Sequence, residues 1–367
     1  MTKHTFWSRL KRVFLKTPRS RSQGFTLLEL LVVTAIAGGI VAGLTFIVVQ
    51  IMTADQREAS RSETQREMQM ALDYISAELR EAVYVYPGEY LACSGNPNGT
   101  CKPFTDFLPT SLRTNSVPVL AFWKLQPFPA QVKTQCAGGG DNNGIACLAG
   151  QSYALVVYSL TKNQPNEPQW KGKARITRYV LSQFDSDGDP NTGYVDPGLN
   201  RNLATWPYRN ASNLQVGTPG GRADTLVDFV AFDFADADLS ADLKQIGFCP
   251  DLPDAANIKE YSVSPPDSLL KGEFANIRTF YACVGAPRPE QTAGTGGAPA
   301  APVDPGIADQ TAYRDTILYI TGNASGRPGI APDRNGLNLR GRNQDILPTL
   351  QTRVLSRSVL GRRPNDE

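Results

Sequence analysis

The chain has 367 residues, enough for one large globular unit once an N-terminal leader and a long helix are set aside. Its formal charge of +2 hides an asymmetry: residues 1–24 hold seven of the 37 basic side chains (Lys3, Arg9, Lys11, Arg12, Lys16, Arg19, Arg21) and no acid, leaving 30 Lys and Arg against 35 Asp and Glu. That negative balance weakens a nucleic-acid reading, since such binding usually needs a basic face, and with His4 the only histidine the body cannot build Ser-His-Asp, Cys-His or histidine–metal sites.

The basic leader, 1–24, ends at Gly24. From Phe25 to Met52 run 28 residues with one formal charge, Glu29. At about 1.5 Å per residue a helix of that length exceeds the roughly 30 Å hydrocarbon core of a bilayer. The basic leader predicts a cytoplasmic N-terminus, a single span and an exported C-terminal head. A secretory signal would place its cleavage site after an apolar core of roughly 7–15 residues. Here the order is reversed, and cleavage at Gly24 would keep the apolar helix in the mature chain. Glu29 is anomalous, because an ionised carboxylate in lipid is costly without a partner. The plainer alternative is a polar residue facing headgroups at the helix end. Cleavage would give Phe25 a free amine, which could pair with the carboxylate of a neighbouring subunit. Gly38, Gly39 and Gly43 suit close helix packing or local melting.

Polarity changes after Met52 while the helical pattern continues. Ala54–Tyr86 contains no Pro or Gly, and Met68, Leu72, Ile75, Leu79 and Val83 recur at spacings of three and four. That stripe is one face of an amphipathic helix over 53–86, stopped by Pro87-Gly88. Arg57, Glu58, Arg61, Glu63, Arg66 and Glu67 form its solvated face.

The head, 87–367, is expected to be β-rich with long loops. Strands are predicted at Val117–Leu125, Tyr153–Thr161, Ala174–Phe184, Thr225–Phe234, Ile277–Val284 and Thr316–Thr321, all rich in β-branched and aromatic residues. Ile346–Leu360 closes the fold. The Pro-, Gly- and Ala-rich run 287–306 reads as a flexible excursion, and Gly322–Gly341 as an irregular loop. The fold class is therefore α+β: a long N-terminal helix packed on a mainly antiparallel sheet.

All six cysteines (Cys93, Cys101, Cys136, Cys147, Cys249, Cys283) lie in the exported part, where an even count suggests disulfides. Short separations make Cys93–Cys101 and Cys136–Cys147 natural local loops and leave Cys249–Cys283; buried free thiols are the alternative. Asp185, Asp187 and Asp189 alternate along a turn that ends at Asp196, a spacing that could hold a structural Ca²⁺. It departs from the EF-hand, since Gly188 is fourth and Asp196 stands where Glu would. An exposed Asp/Asn/Gly/Pro turn is the bland reading. No other cofactor is expected. There is no phosphate-cradling GxxxxGK[ST] and no GxGxxG, so an enzyme is not expected. Trp123, Trp170 and Trp206 would suit glycan binding if exposed, and core or loop packing if not.

Gly24-Phe25-Thr26-Leu27-Leu28-Glu29, after a basic leader and before an apolar helix, resembles the class III signal of type IV pilins and type II secretion pseudopilins. The resemblance implies that prepilin peptidase cuts between Gly24 and Phe25 and methylates the amine of Phe25. It also implies that Glu29 pairs with a neighbouring N-terminus during assembly. The implied fold is a ladle with a β head on the second half of the helix. Met68–Ala82 (MQMALDYISAELREA) resembles the helix of W-type minor pilins and J-type pseudopilins. The cysteine-containing head with long Pro/Gly insertions is most similar to pseudopilins of cyanobacterial hormogonium polysaccharide secretion. The implied role is a structural subunit that initiates or caps a pilus-like or secretion pseudopilus filament. Its implied partners are other pilins, the peptidase and an inner-membrane assembly platform. It would begin as a single-pass inner-membrane precursor and then enter the filament. A pilus-displayed binding module, either an adhesin or a receptor for polysaccharide or cargo, is the alternative.

Overall fold

The computed structural model describes residues 24–93, 102–138, 147–199, 203–209, 212–232, 249–250, 261–275, 277–285, 315–330 and 346–356. The chain divides into two units, residues 1–54 and 55–367. One continuous helix, α1 (Leu27–Arg80), supplies the end of the first and the start of the second.

In the first unit every described residue is exposed. It includes a candidate membrane span, long and apolar enough for the purpose by length and composition. Its threonines turn their polar groups inward: the Thr34 hydroxyl donates to the Leu31 carbonyl at 2.9 Å, Thr45 to Val41 at 2.8 Å and Thr53 to Val49 at 2.8 Å.

The second unit is built on two antiparallel sheets. In chain order the elements after α1 are β1 (Ala82–Val85), α2 (Gly88–Ala92), β2 (Ser116–Pro127), α3 (Ala130–Ala137), β3 (Gln151–Lys162) and β4 (Ala174–Ser182). There follow β5 (Tyr208–Arg209), β6 (Ser212–Asn213), β7 (Arg222–Val230), β8 (Tyr261–Ser264), β9 (Phe280–Gly285), β10 (Asp315–Ile320) and β11 (Leu350–Leu355). The larger sheet has the order β1-β2-β3-β4-β7 and the smaller β11-β10-β9-β8. They meet where Val230 bridges Gly322, supported by Ala231 N–H to the Thr321 carbonyl at 3.0 Å and Asn323 N–H to the Phe229 carbonyl at 2.8 Å. Each predicted strand coincides with an observed one, with ends shifted by a few residues. Phe184 lies past the end of β4, in a bridge with Pro190. The tail of the β7 expectation (233–234), residues 357–360 and the 287–306 excursion lie outside the described residues.

The helix stripe is buried as its spacing predicts, except at its end. Met68, Ala71, Leu72, Ile75 and Leu79 share a core with Phe122, Val156 and Ile176 of the larger sheet and Phe280, Leu318 and Val354 of the smaller. Fully burying each large side chain is worth roughly 1.5–3 kcal/mol. The opposite face of the larger sheet is also covered. Tyr84, Trp123, Leu155, Val157, Tyr179 and Leu181 pack under Phe104, Phe107, Leu112, Val195, Trp206 and Tyr208. A sheet buried on both faces explains why Leu155–Tyr158 reads as a continuous apolar run.

The amphipathic helix ends at Arg80, not at Tyr86 as the spacing suggests. Ala82–Val85 forms the edge strand β1, with Ala82 opposite Lys124 and Val85 opposite Phe122, so Val83 is a strand residue. Pro87-Gly88 does not terminate α1; Pro87 precedes the first turn of α2. Gly88 is needed for close approach: a Cβ there would lie 2.0 Å from the Val263 carbonyl oxygen of β8.

Candidate processing and assembly segment

Gly24, Phe25 and Thr26 lie outside the helix, which starts at Leu27. The Gly24–Phe25 peptide is therefore not tied into a helical ladder, as a bond entering a peptidase cleft requires. Among the described residues no side chain crowds it: a Cβ at Gly24 would meet nothing within 4 Å, and Phe25 is 74% exposed. Thr26 ends this stretch by capping α1. Its hydroxyl oxygen accepts the Glu29 N–H at 3.3 Å, and its carbonyl accepts the Leu30 N–H at 3.1 Å. Thr26 and Glu29 thus stand at N-cap and N3, the spacing of a capping box. Glu29 is the acid of the first turn, where the positive end of the helix dipole favours negative charge. The pattern Thr-x-x-Glu before an apolar run is the signal in the sequence for this cap. Gly38, Gly39 and Gly43 have open space where a side chain would project.

A buried polar network fastens the second half of α1 to the head. Glu78 is 6% exposed, and its carboxylate accepts Arg178 Nε at 2.9 Å, a second guanidinium bond from Arg178 Nη2 and a bond from the Tyr158 hydroxyl. Lys124 Nζ lies 2.9 Å from Glu78 and 3.3 Å from Glu81. Burial would raise the Glu78 carboxyl, but hydrogen bonds from Arg178, Tyr158 and Lys124 outweigh it and bring it down from 4.5 to about 2. Burial, with Glu78 beside it, pushes the Tyr158 phenol up. The three partners come from β4, β3 and β2, so one carboxylate fixes the helix against three adjacent strands.

A second clamp lies closer to the membrane half. Arg327 Nη1 pairs with Glu63 at 3.0 Å, Nη2 pairs with Glu67, and the guanidinium carbon sits 4.1 Å from the Phe229 ring centroid. Ser60 donates its hydroxyl to the Pro328 carbonyl at 2.7 Å. Gly329 has φ 77°, and a Cβ there would come within 2.9 Å of the Gln56 side chain. Part of the expected 322–341 loop is thus an ordered brace on α1. Residues 331–341 lie outside the described residues.

The remaining candidates resolve as follows. Cys136–Cys147 and Cys249–Cys283 are disulfides, and Cys93 is also disulfide-bonded; Cys101 lies outside the described residues. In the acidic loop the Asp185 carboxylate accepts the backbone N–H groups of Asp187 and Asp189, each at 2.9 Å, and Asp196 accepts that of Gly198 at 2.8 Å. Among the described residues no three His, Cys, Asp or Glu side chains gather as a metal site would need. Trp123 and Trp206 are fully buried, donating to the Tyr86 hydroxyl and the Val195 carbonyl, both at 2.9 Å. Neither can face a glycan. Trp170 is half-buried beneath the Arg175 guanidinium, 5.2 Å from its ring centroid.

Residues 19–45 match the family model described as the prokaryotic N-terminal methylation motif. No curated protein and no solved structure matches the chain. The matched segment contains Gly24, Phe25, Thr26 and Glu29 and supports the type IV pilin and pseudopilin family. It indicates a membrane-anchored, type IV pilin-like structural precursor, processed by prepilin peptidase and assembled with other pilins. Met68–Ala82 lies outside the matched residues.

Proposed function

We propose that the chain is a minor pilin or pseudopilin, a structural subunit that initiates or caps a type IV pilus-like or secretion filament. The observation that carries this reading is the order of parts at the N-terminus. An open Gly24–Phe25 bond precedes a Thr26-capped helix with Glu29 in its first turn, and that helix runs on into the head.

Prepilin peptidase cuts between Gly24 and Phe25 and methylates the new amine, removing the basic leader on the cytoplasmic side. The amine on one subunit and the Glu29 carboxylate on its neighbour then neutralise one another in an apolar environment, where each alone would be costly. Because the two groups are four residues apart along the chain, their pairing sets a stagger between adjacent helices. Prominent minor-pilin features are the large head and the Met68–Ala82 helix segment, whose Glu78 locks helix to sheet. Glu29→Ala should leave membrane insertion and cleavage intact and sharply reduce incorporation into sheared filaments. Wild-type incorporation of that variant would overturn the pairing.

A further inference from the structure

A cleft of about 360 Å³ opens in the head between the turns preceding β2, the start of β2 and the Leu269–Phe274 turn. That size lies at the lower end of the roughly 300–1,000 Å³ typical of small-ligand pockets. Arg113 and Lys271 line it, and neither has a carboxylate partner among the described residues. Arg113 is held from behind. Its Nε donates to the Leu108 carbonyl and its Nη2 to the Asp106 carbonyl, both at 2.8 Å. The acid in the lining, Glu273, is already neutralised by Lys162 at 2.7 Å. The cleft is thus cationic, although the chain beyond its leader has 30 basic against 35 acidic residues.

The remaining surface is suited to a sugar. Thr114 and Asn115 are exposed in the lining: the Thr114 hydroxyl donates to the Thr110 carbonyl at 3.2 Å and keeps lone pairs that can accept from a sugar hydroxyl, and the Asn115 amide can donate and accept. Ser116, whose hydroxyl accepts from Thr161 at 3.1 Å, and Phe274 form the buried floor. Asn115 adopts φ 57°, a conformation asparagine tolerates, and its carbonyl accepts the Lys162 N–H at 2.8 Å, which pins the turn. A pinned guanidinium is a planar fork that suits a carboxylate or a phosphate, and the helical turn Gly272–Phe274 in the lining is only three residues long, so the two anions are separated by titration.

We propose that this cleft binds a carboxylate-bearing sugar residue of an acidic polysaccharide. It is a property of the head, so its loss leaves Glu29-dependent assembly standing, and failed assembly leaves the cleft intact. The test uses the full chain in neutral-detergent micelles at low ionic strength, titrated calorimetrically with digalacturonate, its dimethyl ester and inorganic phosphate. Digalacturonate should bind, with the ester at least roughly tenfold weaker, as expected when a charge-assisted hydrogen bond is lost. Lys271→Gln should weaken binding by roughly fivefold or more, and Arg113→Gln at least as much, whereas Lys133→Gln on α3 should change nothing. Because Arg113 also tethers the preceding turn, Lys271→Gln carries the decision. Absence of digalacturonate binding, equal binding of the ester, an unaffected Lys271→Gln variant, or full competition by equimolar phosphate would each overturn the proposal.

Discussion

Replacing Glu78 by Gln keeps the shape of the side chain and removes the charge that Arg178 and Lys124 share. Those two side chains are only 19% and 16% exposed, so the variant strands Arg178 in the helix–sheet interface and leaves Lys124 with Glu81 alone. Breaking a buried pair from one side costs roughly 3–5 kcal/mol. The carboxyl itself gives a similar figure: a drop from 4.5 to about 2 corresponds to roughly 3 kcal/mol of folded-state stabilisation. Because the folded value is the depressed one, that contribution is complete above about pH 4.5. It disappears as pH falls towards 2. Glu67 works the other way, since burial raises its carboxyl despite Arg327 and acid then favours the folded state. The informative quantity is therefore the difference between wild type and Glu78→Gln, in which Glu67 cancels. Urea unfolding of the full chain in micelles, followed by tryptophan fluorescence, reports on the head because Trp123 and Trp206 are buried there. The difference should be about 3 kcal/mol at pH 7 and shrink steadily below pH 4.5. The double variant Glu78→Gln/Arg178→Met should recover part of the loss, since Lys124 still has Glu81 at 3.3 Å. A difference below about 1 kcal/mol at pH 7, or one that does not change down to pH 2.5, would refute the network as the fastening of helix to head.

Gly24→Val should leave the precursor uncut, and a normally shortened band on a gel would remove Gly24 from the cleavage site. Gly88→Ala must displace β8 backbone only 2.0 Å from the new methyl and should cost about 3 kcal/mol in the same unfolding assay. A loss under about 0.5 kcal/mol would mean that α2 and β8 are not so closely apposed. Arg327→Ala should speed amide exchange across residues 56–67 by roughly tenfold or more, while residues 72–79 stay protected by the core and the Glu78 network. Uniform acceleration of both segments would argue against a separate brace.

The N-terminal segment and most strands could be read from local sequence because their determinants are local. A basic leader, an apolar run with one carboxylate and β-branched clusters each occupy one short window. Ala82–Val85 could not be read that way. It prolongs the helical spacing without Gly or Pro, and its conversion to β1 depends on pairing with residues 122–124, far along the chain. Glu78 offers a clearer case. It sits on α1 while its partners Lys124, Tyr158 and Arg178 come from three strands brought together by tertiary pairing, so no spacing rule could connect them. The same holds for Arg327, which lies in a loop without periodic pattern and meets Glu63, Glu67 and Phe229 only through tertiary packing. The tryptophans were ambiguous because composition does not reveal that the larger sheet is covered on both faces.

From Leu30 to Val49 every α1 side chain is apolar or, like Thr34 and Thr45, donates its hydroxyl to the helix's own backbone. Such a surface makes no polar demands on what surrounds it. Lipid tails and the flanks of other apolar helices are then nearly interchangeable solvents, and transfer between them involves little change in hydrogen bonding. Glu29, just ahead of that stretch, is the group that can distinguish one dry medium from another. The helix is indifferent to where it resides, and a single carboxylate supplies the preference.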